Sequence, residues 1–137
     1  MTEPTVYLKG EFLPASQAKL NIFDLGLVMG ATIKEMTRTF RHQPFRLEEH
    51  VARLFRSLKY GGNSISLSFE EVLETSREVA RRNCELLEEN QDLAIVHFIT
   101  PGENLIYAGS AGGASTLQPT VCIHTFPLAF RNWQHLF

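Results

Sequence analysis

Apolar and polar positions along the 137-residue chain change their period several times, and each change marks an element. Val6 to Leu13, VYLKGEFL, alternates on either side of a Lys9-Gly10 turn, the pattern of a β-hairpin. Ala31 to Phe40, ATIKEMTRTF, sets Ile33, Met36, Thr37 and Thr39 in a strand-favouring mixture. The spacing then turns helical. Leu47, Val51, Leu54, Phe55 and Leu58 fall on one face of a helix that Gly61-Gly62 bring to a stop. Ser68 and Glu71 form a capping box for a second helix, with Val72, Leu73, Ser76, Val79, Ala80 and Leu87 on its inward side. Two nearly continuous apolar runs, Leu93 to Thr100 and Thr120 to Phe126, predict central strands. Between them AGSAGGASTLQP, Ala108 to Pro119, predicts a flexible Gly/Ser loop, since it lacks the lysine and the following helix of a phosphate-cradling P-loop. This order of elements predicts an α+β fold: a mixed, largely antiparallel sheet with two helices packed on one side.

Composition narrows the class. With 44% hydrophobic and 20% charged residues, the chain can bury the core of one ordered domain. The net charge is -2, and the basic residues are scattered among acids, which argues against a nucleic-acid partner. The start, MTEPTVYLKGEF, does not read as a signal peptide, and no apolar run approaches the ~20 residues that span a bilayer. A soluble, cytoplasmic protein without a membrane partner is the expectation. Cys84 and Cys122 have no metal-ligand spacing and read as small hydrophobes, so neither a metal site nor a disulfide is expected.

One stretch carries candidate chemistry. In FRLEEHVARLFRSLKYGG, Phe45 to Gly62, three basic side chains gather along one flank of the helix: Arg46, His50 and Arg53. Arg53 lies close in angle to Arg46 one heptad earlier, with His50 beside both. The three either converge on one anion or form a solvated face with Arg53 paired to Glu49. Periodicity leaves both readings open.

The order VYLKGEFLP, then AKLNIFDLGLVMGATIKEMTRTF, then PFRLEEHVARLFRS resembles the amino-terminal domain of the fold-type IV pyridoxal-phosphate enzymes. These class IV aminotransferases include branched-chain and D-amino-acid aminotransferases, and aminodeoxychorismate lyase belongs with them. The match runs collinearly from about Val6 to about Arg131. It implies an α+β domain over 1–128 and the start of an interdomain linker over 129–137. It also implies pyridoxal 5'-phosphate as cofactor, an amino acid and a 2-oxo acid as substrates, and a homodimer with the Gly/Ser loop near the partner's site.

Residue by residue the resemblance is uneven. The last arginine of RLEEHVARL binds the cofactor phosphate in the family, which assigns that role to Arg53; Arg46 and His50 inherit none. Family members commonly have an aromatic before the glycine of VMG and before the glutamate of IKE, where this chain has Met29 and Lys34. These two either shape a pocket for a polar or acidic substrate or are a core methionine and an exposed strand lysine. His97 stands where branched-chain members place an arginine for the substrate carboxylate. It either donates to a carboxylate or is a satisfied core histidine. No catalytic residue carries over: the Schiff-base lysine of the family heads its second domain, and none of Lys9, Lys19, Lys34 and Lys59 aligns with it. The expectation is the amino-terminal part of an aminotransferase, inactive alone. The alternatives are the lyase and a non-catalytic module for dimerisation or anion binding. The apolar tail, with Phe130, Trp133, Leu136 and Phe137, fits a surface that a following domain or a partner chain would cover.

Overall fold

The hairpin forms because its turn suits the twist of its strands. Lys9 and Gly10 both adopt positive φ, 51° and 93°, and join β1 (Thr5–Leu8) to β2 (Glu11–Pro14). The computed structural model describes residues 2–108 and 117–136, so the expected Gly/Ser loop and Phe137 lie largely or wholly outside the described residues. After the hairpin, a short helix α1 (Leu25–Val28) is capped by Asp24. The Asp24 carboxylate accepts the Gly26 N–H at 2.8 Å and the Thr120 hydroxyl at 2.7 Å, tying this segment to the far end of the chain. Gly26 is needed for that approach, because a Cβ there would stand 2.4 Å from Thr100 Cγ2.

Strand β3 (Ile33–Phe40) turns back through the two-residue β4 (Gln43–Pro44) into the long helix α2 (Leu47–Tyr60). Helix α3 (Phe69–Cys84) follows, with both hydrogen bonds of the Ser68–Glu71 capping box in place. Then come β5 (Leu93–Thr100), β6 (Thr120–Pro127) and a terminal turn of helix, α4 (Phe130–Trp133). The strand order is β2-β1-β6-β5-β3-β4, which puts the two apolar strands in the middle as their composition predicts.

Two expectations need correcting. Every pairing among the described residues is antiparallel, so the sheet is not mixed. Two helical traverses separate β3 from β5, and the second returns the chain to the end of the sheet where β3 left it, with Arg38 opposite Ala94. Leu87 does not belong to α3, which ends at Cys84; it sits in the turns beyond and is half-buried.

The core lies between the sheet and the two long helices. Val51, Leu54 and Leu58 of α2 and Val72 and Val79 of α3 meet Ile95, Ile99 and Ile123 of the central strands, all nearly inaccessible to water. Each such side chain contributes about 2 kcal/mol by leaving water. A smaller cluster on the opposite face joins Val6, Leu8 and Cys122 to Leu13, Leu20 and Phe98. Both cysteines are buried, free thiols, and burial pushes them up to about 11 (Cys84) and about 12 (Cys122), as inert packing residues require. Asn83 fastens α3 to the sheet: its amide accepts from Thr5 N–H at 2.7 Å and donates to the Thr5 carbonyl at 2.8 Å and the Thr125 hydroxyl at 2.7 Å. No helix among the described residues is long and apolar enough to cross a membrane.

Candidate anion-binding site

Along the first part of β3, the odd positions face the helices and the even ones face away. Glu35 therefore points under α2, only 5% exposed, where a bare carboxylate would be costly. It is not bare. Arg53 donates from Nε to Glu35 Oε2 at 2.7 Å and from Nη2 to Oε1 at 2.6 Å, a forked pair. His50 Nδ1 lies 2.8 Å from the same Oε1, and the Met36 N–H adds a fourth contact at 3.1 Å. Burial pushes the Glu35 carboxyl up, but the hydrogen bonds from Arg53, His50 and Met36 and the charge of Arg53 outweigh it and hold it at about 2. It is ionised at neutral pH.

This arrangement fixes the ion-pair partners of the basic flank. Arg53 does not pair with Glu49; Glu49 instead takes a forked ion pair from Arg46, which caps α2 in a left-handed conformation with φ 50°. Arg46, His50 and Arg53 nevertheless line one cavity of about 300 Å³ with Phe45, Glu49 and Arg56. Arg56 has no ion-pair partner among the described residues, and the Arg53 side chain remains 59% exposed although one edge is held by Glu35. A phosphate entering there would meet the free edge of one guanidinium and the whole of another, which is the donor chemistry that a dianion requires. A larger groove, about 910 Å³, lies between the start of α2 and α3. Its arginines are spent on neighbouring acids, Arg77 on Glu48 and Glu74, and Arg81 on Glu78 and Glu85.

The other candidates are dispersed. Met29 closes α1 and is 68% exposed. Lys34 is exposed on the sheet face opposite the helices, near enough to His124 that its charge, after burial itself, lowers that imidazole. His97 sits directly across from Glu35 on the helix side, 1% exposed, with Nε2 2.8 Å from the Ser76 hydroxyl. Its Nδ1 has no well-formed hydrogen bond among the described residues, and burial holds the ring at about 4 against the pull of Glu35. The residue that pattern reading missed is Glu35. A glutamate at an inward position of a strand was the available signal, and only the packing of α2 shows what answers it.

No family model matches the chain. The branched-chain amino acid aminotransferase of Escherichia coli superposes on 91% of the chain with a TM-score of 0.76 and 26% identity. A second solved branched-chain amino acid aminotransferase, from T.th. and complexed with N-(5'-phosphopyridoxyl)-L-glutamate, covers 92% of it, with a TM-score of 0.72 and 25% identity. D-alanine aminotransferase of Staphylococcus aureus is 36% identical over 78 residues, 57% of the chain. The chain is similar to the amino-terminal domain of the fold-type IV aminotransferases. It spans 40% of the two solved aminotransferases and 28% of the D-alanine enzyme. The fold-type IV likeness accounts for the antiparallel sheet and its two long helices, and it supports the amino-terminal part of a class IV aminotransferase.

Proposed function

We propose that this fold-type IV domain serves a pyridoxal-phosphate-dependent aminotransferase and that Arg53 binds the cofactor phosphate. The observation that carries the reading is the Glu35-held guanidinium at the rim of a basic cavity, on a chain collinear with aminotransferases. The residues present fit the group: a forked donor with an unspent edge beside Arg56, in a cavity large enough for a phosphate. When bound, pyridoxal phosphate supplies the electron sink that labilises bonds at the α-carbon of an amino acid. This chain's share is to bind and orient: Arg53 fixes one end of the cofactor, and Glu35 fixes Arg53.

In this reading the domain covers 1–128, the linker begins at 129, and the cofactor-bearing lysine lies outside the chain, with none of the four lysines assigned to it. Met29 and Lys34 stand on the substrate side, Lys34 suited to an acidic or polar amino acid and its 2-oxo acid. For His97 the contact with Ser76 and the near-complete burial favour a core role. A homodimer in the cytoplasm completes the proposal. Support comes from Phe40, Phe126 and Phe130, large side chains left exposed on or beside the sheet face that the long helices do not cover.

The test is amino-group transfer by the full product of the gene, supplied with pyridoxal phosphate, an amino acid and a 2-oxo acid. Turnover that needs the oxo acid supports the proposal. Pyruvate release without an acceptor would point to the lyase, and cofactor binding without either reaction would sink the enzymatic reading.

A further inference from the structure

The proposed phosphate site has a second histidine-bearing edge to which family resemblance assigned nothing. We propose that His50 is a protonation-dependent phosphate donor beside Arg53, and that Glu35 is the positioning residue that aims both. The proposal rests on the reading of Arg53 given above. Its basis is a shared carboxylate. Oε1 of Glu35 receives both His50 Nδ1 at 2.8 Å and Arg53 Nη2 at 2.6 Å, while Oε2 receives Arg53 Nε at 2.7 Å. The two side chains are one turn apart on α2, and the carboxylate comes from β3, so strand and helix together fix the directions of both donors. With those contacts made, Nη1 of Arg53 and Nε2 of His50 have no hydrogen-bond partner among the described residues, and both side chains line the same cavity of about 300 Å³.

The chemistry then follows from the imidazole. A ring that gives Nδ1–H to Glu35 presents a bare acceptor at Nε2 when neutral, which opposes an anion. When protonated it presents Nε2–H, and a charge-assisted hydrogen bond to phosphate becomes available. The charged groups that face the ring are Glu35 on β3, Glu49, Arg46, Arg53 and Arg56 on its own helix, and His97 on β5. The share of phosphate binding that passes through His50 should therefore depend on the ring being protonated, through a residue that touches only the phosphate and not the reacting atoms.

The experiment is calorimetric titration of the 137-residue chain with pyridoxine 5'-phosphate, which lacks the aldehyde and forms no imine with surface lysines. Wild type, Arg53→Ala and His50→Gln are compared at about pH 8 and about pH 6, on either side of neutrality. The ligand's own titration cancels in the ratio of wild type to His50→Gln. We expect that ratio to grow to about tenfold at the lower pH and to approach one at the higher, the worth of a single charge-assisted bond. A nitrogen-15 spectrum of the histidine rings reads the positioning directly: His50 should carry its neutral-form proton on Nδ1. Equal binding by His50→Gln and wild type at both pH values, with Arg53→Ala weakened, overturns this proposal and leaves the Arg53 reading standing. A neutral His50 protonated on Nε2 overturns the role given to Glu35. Unchanged binding by Arg53→Ala, or no binding by wild type, overturns the Arg53 reading and this proposal with it.

Discussion

Two arginines one heptad apart, Arg46 capping α2 and Arg53 within it, make the same forked contact with a glutamate, and they do so in opposite surroundings. Arg46 holds Glu49, three residues on, and both side chains are open to water, 58% and 62% exposed. Arg53 holds Glu35, 18 residues back in the chain, and that carboxylate is 5% exposed. The first pair is local, screened by solvent and easily replaced by hydration. The second joins a helix to a strand, satisfies an ion that cannot reach water, and leaves a cation fixed at the edge of a cavity. Geometry at the guanidinium is alike in the two; what differs is whether anything else depends on it.

Acid should widen that difference most. His97, opposite Glu35, is held at about 4 by burial, below an ordinary imidazole near 6.5. Between those values the unfolded chain takes up a proton that the folded chain refuses, so stability falls as pH falls, by on the order of 3 kcal/mol across the window. The contribution of Glu35 has the same sign but disappears lower, from the ordinary carboxylate range down to about 2. Urea denaturation followed against pH should show the first loss between about pH 6.5 and about pH 4. His97→Gln should flatten it, whereas Glu49→Ala should not; an unaltered acid slope in His97→Gln would show that the ring titrates normally.

At neutral pH the next effect is on melting. Glu35→Ala leaves Arg53 and His50 without their anion and empties a buried position, and should lower Tm by roughly 5–10 °C. Glu49→Ala should move it by less than about 1 °C, as exposed pairs do. Equal shifts in thermal melts of the two variants would erase the distinction between the pairs.

The smallest expected effect separates the arginines themselves. Arg53→Ala should weaken pyridoxine 5'-phosphate binding about tenfold, and Arg46→Ala by less than about threefold, because Arg46 already spends its fork on Glu49. Calorimetry decides it, with melting curves recorded alongside, since removing Arg53 also takes two hydrogen bonds from Glu35. If Arg46→Ala proves the weaker binder, the cavity is used from its other end.

Much of the architecture was legible because it is written in short-range patterns. The hairpin turn needs positive φ at Lys9 and Gly10, the α3 start needs a hydroxyl and a carboxylate three residues apart, and α2 needs an apolar residue each turn; each condition is met within a few residues. Leu87 was misplaced because helical period continues past the point where the chain stops being helical, and nothing in the local pattern marks Cys84 as the last turn. The strictly antiparallel sheet was not visible either, since the direction in which β5 enters depends on how many times the intervening helices cross the sheet.

By itself, the amino-acid sequence determined the elements and the apolar faces that build the core, for these depend on neighbours within a turn or a strand. Only the tertiary structure decided the partners. Whether Arg53 would meet Glu49 or another acid, and whether His97 would be left free to donate to a carboxylate or would meet Ser76 in the core, depended on which strand lay beneath which helix. Periodicity specifies which side of an element is turned inward, but an ion pair requires two atoms within about 3 Å, and that distance is set by packing between segments far apart in the chain.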